Sequence, residues 1–192
     1  MREEILERAD RQIRQGGFAQ LNFAPIAESL ETTRANLHYH FGSKGALADA
    51  VVERYVSQSV EAMAAILDAH PGDLPSALVA VESAIIERVE RMGPRLTCVC
   101  GQLLRDATAP EHLRAEAREF FATKEKLIGE ATRASIDAGT LRPDLEVETF
   151  VTLAMSVLMG LDQLAMVIDD HQSFASTARG AMASWVRPYR PA

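Results

Sequence analysis

Residues 34–40, with the sequence Arg-Ala-Asn-Leu-His-Tyr-His, carry side chains that can recognise DNA. Arg, Asn and His side chains can hydrogen-bond to base edges in the major groove, and hydroxyl and cationic groups bind phosphate oxygens. Leu37 and Phe41 are four residues apart, so one helix face can hold both against a core while the polar groups stay outside. A short helix that buries little and presents donors is typical of a DNA recognition helix.

The other chemistry-bearing residues form no catalytic or metal-binding pattern. His38 and His40 are two residues apart and do not face each other on a helix, and His70, His112 and His171 stand alone. The sequence contains no Ser/His/Asp arrangement, phosphate-binding loop or dinucleotide fingerprint. We therefore predict no enzymatic activity, no metal site and no cofactor.

Composition favours a soluble, all-α protein. Hydrophobic residues make up 47% and charged residues 24% of the 192 residues, and no period-two alternation indicates a strand. The N-terminus has no signal-peptide core. The longest apolar stretch, residues 150–168, is interrupted by polar side chains, which favours a buried helix over a membrane span. We predict a cytoplasmic location.

The net charge of −7 lies entirely outside the N-terminal segment. Residues 1–45 contain six basic and six acidic residues, whereas the remainder contains 14 basic and 21 acidic residues. A neutral N-terminal segment on an acidic body can still bind phosphate. The charge distribution favours approach to DNA with the N-terminal segment facing it.

Capping residues predict the helices that present residues 34–40. Asn22 can cap a short helix, and Thr32 or Thr33 can cap the recognition helix. Ser43 can cap a long helix that ends near residue 69, with Lys44 in its first turn, where an ammonium can hold a phosphate.

A first helix is predicted over about residues 3–15, ending at Gly16-Gly17. Its inward stripe consists of apolar residues at helical spacing. We expect its charged residues to form one solvated face, made of Glu4, Glu7, Arg8, Asp10, Arg11 and Arg14.

The run Ile26-Ala27-Glu28, residues 32–41 and Ser43-Lys44 with Leu47 together resemble the TetR family signature. The resemblance implies an N-terminal three-helix helix-turn-helix domain, residues 1–46, and a helical ligand-binding and dimerisation domain, residues 47–192. Glu31 stands where the family usually has Gly, so either it adopts a turn conformation that Gly takes more easily or the turn geometry differs here. His38 stands where the family usually has Tyr. The positions that would contact operator DNA are Asn22, Thr32, Thr33, Arg34, Ala35, Asn36, His38, Tyr39, His40 and Lys44.

The last two predicted helices, about residues 146–169 and 173–186, indicate a homodimer. The first is apolar nearly all round and must be covered on both sides, and one subunit offers too few neighbours to do so. A two-fold dimer that packs this pair on its copy as a four-helix bundle meets the need, and the resemblance implies the same arrangement. Two recognition helices would suit a palindromic operator.

The resemblance also implies that a small-molecule effector binds in a cavity between helices of the C-terminal domain. It implies further that the protein itself is most often a repressor. Methionine and phenylalanine side chains with few charges favour a mostly apolar or aromatic effector. The candidate lining residues are Met63, Ile66, Ile85, Val89, Met92, Cys98, Gln102, Phe120, Phe121, Met155 and Met159.

Two alternatives stay open. In one, the regulator senses oxidants or electrophiles through Cys98, which lies where many relatives have a cysteine and whose thiol pKa Arg95 or Arg105 could lower if near in space. The spacing of Cys98 and Cys100 does not suit zinc, and both can equally be small core residues. In the other alternative, a helical ligand-binding protein has lost DNA binding, as Glu31 and the acidic balance would allow.

Overall fold

Every regular element in the described part of the chain is helical, as the sequence predicts. The computed structural model describes residues 1–93, 98–168 and 170–191, and of His171 only the backbone. Arg95, the predicted break at Pro94 and the predicted helix end at Asp169 lie outside these residues. The helices are α1 (Arg2–Gln20), α2 (Phe23–Ser29), α3 (Arg34–Phe41), α4 (Lys44–Asp68), α5 (Leu74–Met92), α6 (Val99–Arg105), α7 (Glu111–Asp137), α8 (Val147–Ile168), α9 (His171–Ala178) and α10 (Ala181–Val186), followed by a 3-10 turn (Arg187–Tyr189).

The first compact unit joins two stretches that are distant in sequence, Met1–Ser59 and Leu96–Phe120. Within it α6 packs along α1, and α2 packs on α3. Its core consists of aliphatic and aromatic side chains that are almost fully buried, among them Ile5, Leu6, Ile13, Leu37, Leu47, Val51, Leu103 and Leu113.

The second compact unit consists of Val60–Arg95 and Phe121–Ala192. One of its cores surrounds Leu78, Ile128 and Phe150, and the Phe150 ring centroid lies 5.2 Å from that of Trp185 and 5.1 Å from that of Tyr189. Another core packs α5 against α8 and α9 through Val89, Leu161 and Phe174. Apolar burial of this kind is the main stabilising contribution in a helical unit.

These units are defined by which residues contact each other, whereas the predicted division after residue 46 separates DNA binding from ligand binding and dimerisation. Residues 47–59 and 96–120 belong to the same compact unit as the helix-turn-helix. The predicted boundary between residues 46 and 47 therefore stays a prediction.

Two predicted helices differ in detail because of glycines. The helical dihedral angles of α1 stop at Gly16 and Gly17 as predicted, yet the chain resumes a helical turn and α1 continues to Gln20. The predicted helix over 173–186 is two helices, since Gly180 adopts φ +86° between α9 and α10. A positive φ is readily adopted only by glycine, which is why the break falls there.

Among the described residues, helix α8 is covered on one face only. Its buried face carries Phe150, Ala154, Leu158 and Leu161, and its opposite face exposes Leu153, Met159, Met166 and Val167. By length and composition α8 could cross a membrane, and 28% of its most apolar 18-residue stretch is buried. The described part of one chain therefore does not supply the coverage on both sides that the sequence predicts.

Candidate nucleic-acid interface

The helix-turn-helix is fixed by side-chain caps at both helices. Asn22 Oδ1 accepts a hydrogen bond from Ala24 N at 3.0 Å and begins α2. Thr33 Oγ1 accepts one from Asn36 N at 3.2 Å and begins α3, which settles the choice between Thr32 and Thr33. Caps of this type satisfy amides that the first helical turn leaves without a partner.

The turn between α2 and α3 contains the only non-glycine residue with positive φ among the described residues. Glu31 has φ +50°, so of the two alternatives that the sequence leaves open it adopts the conformation that Gly takes more easily. Left-handed backbone is disfavoured for residues with a Cβ, so neighbouring contacts hold Glu31 there. One is the hydrogen bond from Thr32 N to Ala27 O at 2.9 Å.

Helix α3 presents its polar side chains as predicted. Leu37 is fully buried and Phe41 nearly so, and together they attach the helix to the unit. On the outer surface Arg34 and Ala35 are exposed, and Tyr39 is 86% exposed. A large aromatic left almost wholly in water on a rigid helix is a feature of binding surfaces rather than of cores.

Other predicted contact residues are restrained within the protein. Asn36 Nδ2 donates to Thr32 Oγ1 at 3.0 Å, which fixes the orientation of its amide. His38 Nδ1 lies 2.8 Å from Gly42 O, and the His38 ring packs edge-on against Phe23 at 4.6 Å between centroids. Restrained side chains lose less conformational entropy on binding.

Lys44 lies in the first turn of α4, which Ser43 caps by accepting a hydrogen bond from Ala46 N at 3.1 Å. Lys44 Nζ donates to Ala19 O at 3.3 Å and stands 4.5 Å from the centroid of the Phe18 ring. Its ammonium is therefore held in place before any ligand binds.

The charged face predicted for α1 is wrong at two positions, because Asp10 and Arg14 are buried. They are 7% and 6% exposed, and Arg14 Nε donates to Asp10 Oδ2 at 2.5 Å. Burial lowers the pKa of Arg14 while Asp10 raises it by more, so the guanidinium stays charged. The four-residue spacing of Asp10 and Arg14 was the available signal, but a solvated pair has the same spacing.

Arg14 adjoins a half-buried polar cluster formed by Tyr55 on α4 and Cys98 at the start of α6. Its guanidinium carbon lies 4.9 Å from the centroid of the Tyr55 ring, and Tyr55 Oη donates to Cys98 Sγ at 3.1 Å. Cys98 Sγ also accepts from Gly101 N at 3.4 Å. Burial raises the pKa of Tyr55 well above its usual value, and Cys98 adds to the effect, so the phenol stays protonated and donates.

The predicted effector residues are divided between the two compact units. Cys98, Gln102 and Phe120 belong to the first unit, where Gln102 Nε2 donates to Arg14 O at 2.9 Å. Met159 is 43% exposed on the outer face of α8. The others pack in or beside the cores of the second unit or are half-buried there, and they are Met63, Ile66, Ile85, Val89, Met92, Phe121 and Met155.

Sequence reasoning missed an ion pair in the second unit. Arg88 on α5 and Asp162 on α8 pair with each other, and their side chains are only 19% and 20% exposed. They adjoin Val89 and Leu161 of a buried cluster. No local sequence pattern predicts the pair, because its members are 74 residues apart.

Two family models match the chain. One, described as bacterial regulatory proteins, tetR family, covers residues 5–51, and the other, described as Tetracyclin repressor-like, C-terminal domain, covers residues 74–181. No curated protein sequence matches the chain. In the described residues no group of three or more His, Cys, Asp or Glu side chains could hold a metal ion.

Several solved structures share the fold. A TetR-family regulator from Agrobacterium tumefaciens aligns with TM-score 0.82 and 22% identity over 95% of this chain and 96% of that chain. A transcriptional regulator from Saccharomonospora viridis in complex with choline aligns with TM-score 0.79 and 21% identity, covering 97% and 95%. A cysteine mutant of the TetR-family regulator CifR, complexed with a 26-base-pair operator, aligns with TM-score 0.78 and 21% identity, covering 96% and 97%.

Proposed function

The chain belongs to the TetR family of bacterial regulatory proteins, a family of DNA-binding regulators rather than enzymes, and we propose that it is a ligand-responsive repressor that binds a palindromic operator as a homodimer. The observation that carries the proposal is the outer surface of α3, where Tyr39 is 86% exposed while Leu37 is fully buried. A cytoplasmic location follows, since the DNA is there.

The proposed DNA contacts divide by chemistry. Arg34, Asn36, Tyr39 and His40 on the outside of α3 would reach base edges and sugar-phosphate groups in the major groove. Thr33 at the start of α3 and Lys44 at the start of α4 would hold backbone phosphates. Asn22 and Thr32 act less directly, since Asn22 Oδ1 caps α2 and Thr32 Oγ1 orients Asn36.

The proposed dimer uses α8 together with α9 and α10. The outer face of α8 offers Leu153, Met159, Met166 and Val167 at helical spacing, and Val167 is 80% exposed. Gly160 lies on the same face, and a Cβ built there would meet nothing within 4 Å, so a second helix can approach closely. Exposed apolar residues on one face, interrupted only by small polar ones such as Thr152 and Ser156, support burial against a copy of the same chain.

The proposed effector would bind in the C-terminal domain and favour one of two arrangements of its helices, the one in which two recognition helices no longer fit successive grooves. The predicted lining residues are mostly apolar, which supports an apolar or aromatic effector. The Arg88–Asp162 pair adds one place where a polar group of that effector could be recognised.

The test is binding of the purified protein to DNA from around its own gene, in competition with unrelated DNA. Asn36→Ala and Tyr39→Ala should each weaken operator binding about 5- to 150-fold, the range of one base-reading contact, without unfolding. Lys126→Ala is the matched control, because it removes an exposed cation from α7 of the C-terminal domain. Full operator affinity in both α3 variants would contradict the assignment, and no preference over unrelated DNA would favour the alternative that has lost DNA binding.

A second candidate function is favoured by the surroundings of Cys98. Hydrogen bonds from Tyr55 and Gly101 to the sulfur stabilise its thiolate, the form that reacts with peroxides and electrophiles. If Cys98 is the receptor, peroxide should release the wild-type protein from its operator, Cys98→Ser should abolish that response, and Cys100→Ser should keep it. An unchanged response in Cys98→Ser would exclude this candidate.

A further inference from the structure

We propose that Asp106, at the end of α6, is a positioning residue for DNA binding, because its carboxylate holds the backbone of Ala19, which in turn holds Lys44. Asp106 itself touches no DNA in this scheme. The proposal rests on the phosphate contact assigned to Lys44 under the proposed function. All the groups concerned lie in the first compact unit.

Both oxygens of the Asp106 carboxylate accept hydrogen bonds. Its Oδ2 accepts a hydrogen bond from Ala19 N at 2.7 Å, and the amide of Phe18 also donates to this carboxylate. Its Oδ1 accepts from Thr108 N at 2.8 Å and from Thr108 Oγ1 at 2.7 Å. Burial alone raises the pKa of Asp106, but these bonds lower it by more, so the group is ionised near neutral pH.

The break in α1 is shaped to receive this carboxylate. Gly17 has φ +73° and ψ −163°, and a Cβ placed there would lie 2.7 Å from Asp106 Oδ2. No side chain other than hydrogen fits that gap, and the conformation itself is nearly restricted to glycine. The glycine and the aspartate therefore depend on each other.

Helix α6 replaces hydrogen bonds that α1 loses at the break. In an unbroken helix the amide of Phe18 would donate to the carbonyl of Arg14. Here Phe18 donates to Asp106, and the carbonyl of Arg14 accepts from Gln102 Nε2 at 2.9 Å. Both partners of the broken bond are thus satisfied by residues of one segment, which ties the end of α1 to α6.

On its other side Ala19 holds Lys44. Ala19 O accepts from Lys44 Nζ at 3.3 Å, and the adjacent Phe18 ring lies below the ammonium. An ammonium has three N–H donors, so this bond leaves two for a phosphate. If Asp106 releases Ala19, the carbonyl that orients Lys44 is released as well.

Charge and positioning predict opposite results when Asp106 is replaced. A negative charge near a DNA-binding surface repels phosphate, so its removal by charge alone strengthens DNA binding. Loss of positioning weakens binding instead. It also removes a phosphate contact, which lowers the slope of the logarithm of the binding constant against the logarithm of the salt concentration by about 1.

The experiment compares operator affinity over a range of salt concentrations for wild type, Asp106→Ala, Lys44→Ala and their double variant. Asp106→Ala should weaken binding about tenfold and reduce the salt slope as Lys44→Ala does, and it should add little in the Lys44→Ala background. Thr108→Val is the matched control, because it removes a hydrogen bond to Oδ1 and leaves the bond to Ala19.

Equal or tighter binding by Asp106→Ala, or an unchanged salt slope, would overturn the proposal. Amide hydrogen exchange without DNA gives a second readout, in which the amides of residues 18 and 19 should exchange faster in Asp106→Ala and unchanged rates would overturn it too. Asp106→Leu keeps the size of the side chain, removes both acceptor oxygens and replaces Asp106→Ala if that variant does not fold. Failure of the wild type to prefer any operator would instead count against the proposed function.

Discussion

Replacing Asp10 by Ala should destabilise the protein by about 3–5 kcal/mol, because it leaves the Arg14 guanidinium buried without its carboxylate. Two unit charges 2.5 Å apart attract by about 7 kcal/mol at an effective dielectric of 20. Desolvation of both ions offsets most of that attraction while the pair is intact. Removing only the acid takes away this attraction while the cation stays buried, which is why one substitution has so large an effect.

The assay is unfolding by urea, followed by far-ultraviolet circular dichroism at one protein concentration. The double variant Asp10→Ala/Arg14→Met should lose less stability than Asp10→Ala alone, since it removes the buried cation as well and keeps an apolar side chain of similar length. Glu130→Ala, which breaks an exposed pair with Lys126, should stay close to wild type.

A loss below about 1 kcal/mol in Asp10→Ala would refute the reasoning, because that is what a solvated ion pair gives. A double variant whose loss of unfolding free energy equals the sum of the losses in Asp10→Ala and Arg14→Met would also refute it. The two side chains would then contribute to stability independently of each other.

Two further predictions concern the dimer and the turn. Met159→Glu on the outer face of α8 should convert the proposed dimer into a monomer, measured by light scattering after size exclusion, while Ala122→Glu on the exposed side of α7 should leave it dimeric. Glu31→Gly should raise the free energy of unfolding by about 0.5–1 kcal/mol, because Gly relieves the left-handed conformation at φ +50°. A lower melting temperature in Glu31→Gly would show that contacts of the Glu31 side chain outweigh that strain.

Features that depend on neighbouring residues were predictable from the sequence. The caps at Asn22 and Ser43, and a cap at Thr32 or Thr33, follow from side-chain chemistry within three residues of the backbone concerned, whereas the turn at Glu31 was expected from the family resemblance. The buried and exposed positions of α3 follow from helical spacing in the same way. The family signature is itself a local pattern, which is why the helix-turn-helix was recognisable.

Features that depend on distant residues were not predictable. Asp10 and Arg14 look like a surface pair until Tyr55 and α6 cover them, and Asp106 meets Ala19 across 87 residues of sequence. The Arg88–Asp162 pair has the same origin. In each case a charged group is satisfied by tertiary contact, and no spacing rule reports which partner the fold will supply.

The assembly of the first compact unit from two separate stretches has a consequence for how such regulators exchange specificity. A recombination event that transfers residues 1–59 alone would introduce an α1 whose broken turn is normally hydrogen-bonded by Asp106 and Gln102. The recipient would have to supply both residues. A recipient without these groups would leave backbone amides and a carbonyl unsatisfied at the graft. Transfer of a working operator preference is therefore expected to need residues 96–120 to travel with the recognition helix, which takes three crossovers if residues 60–95 stay with the recipient.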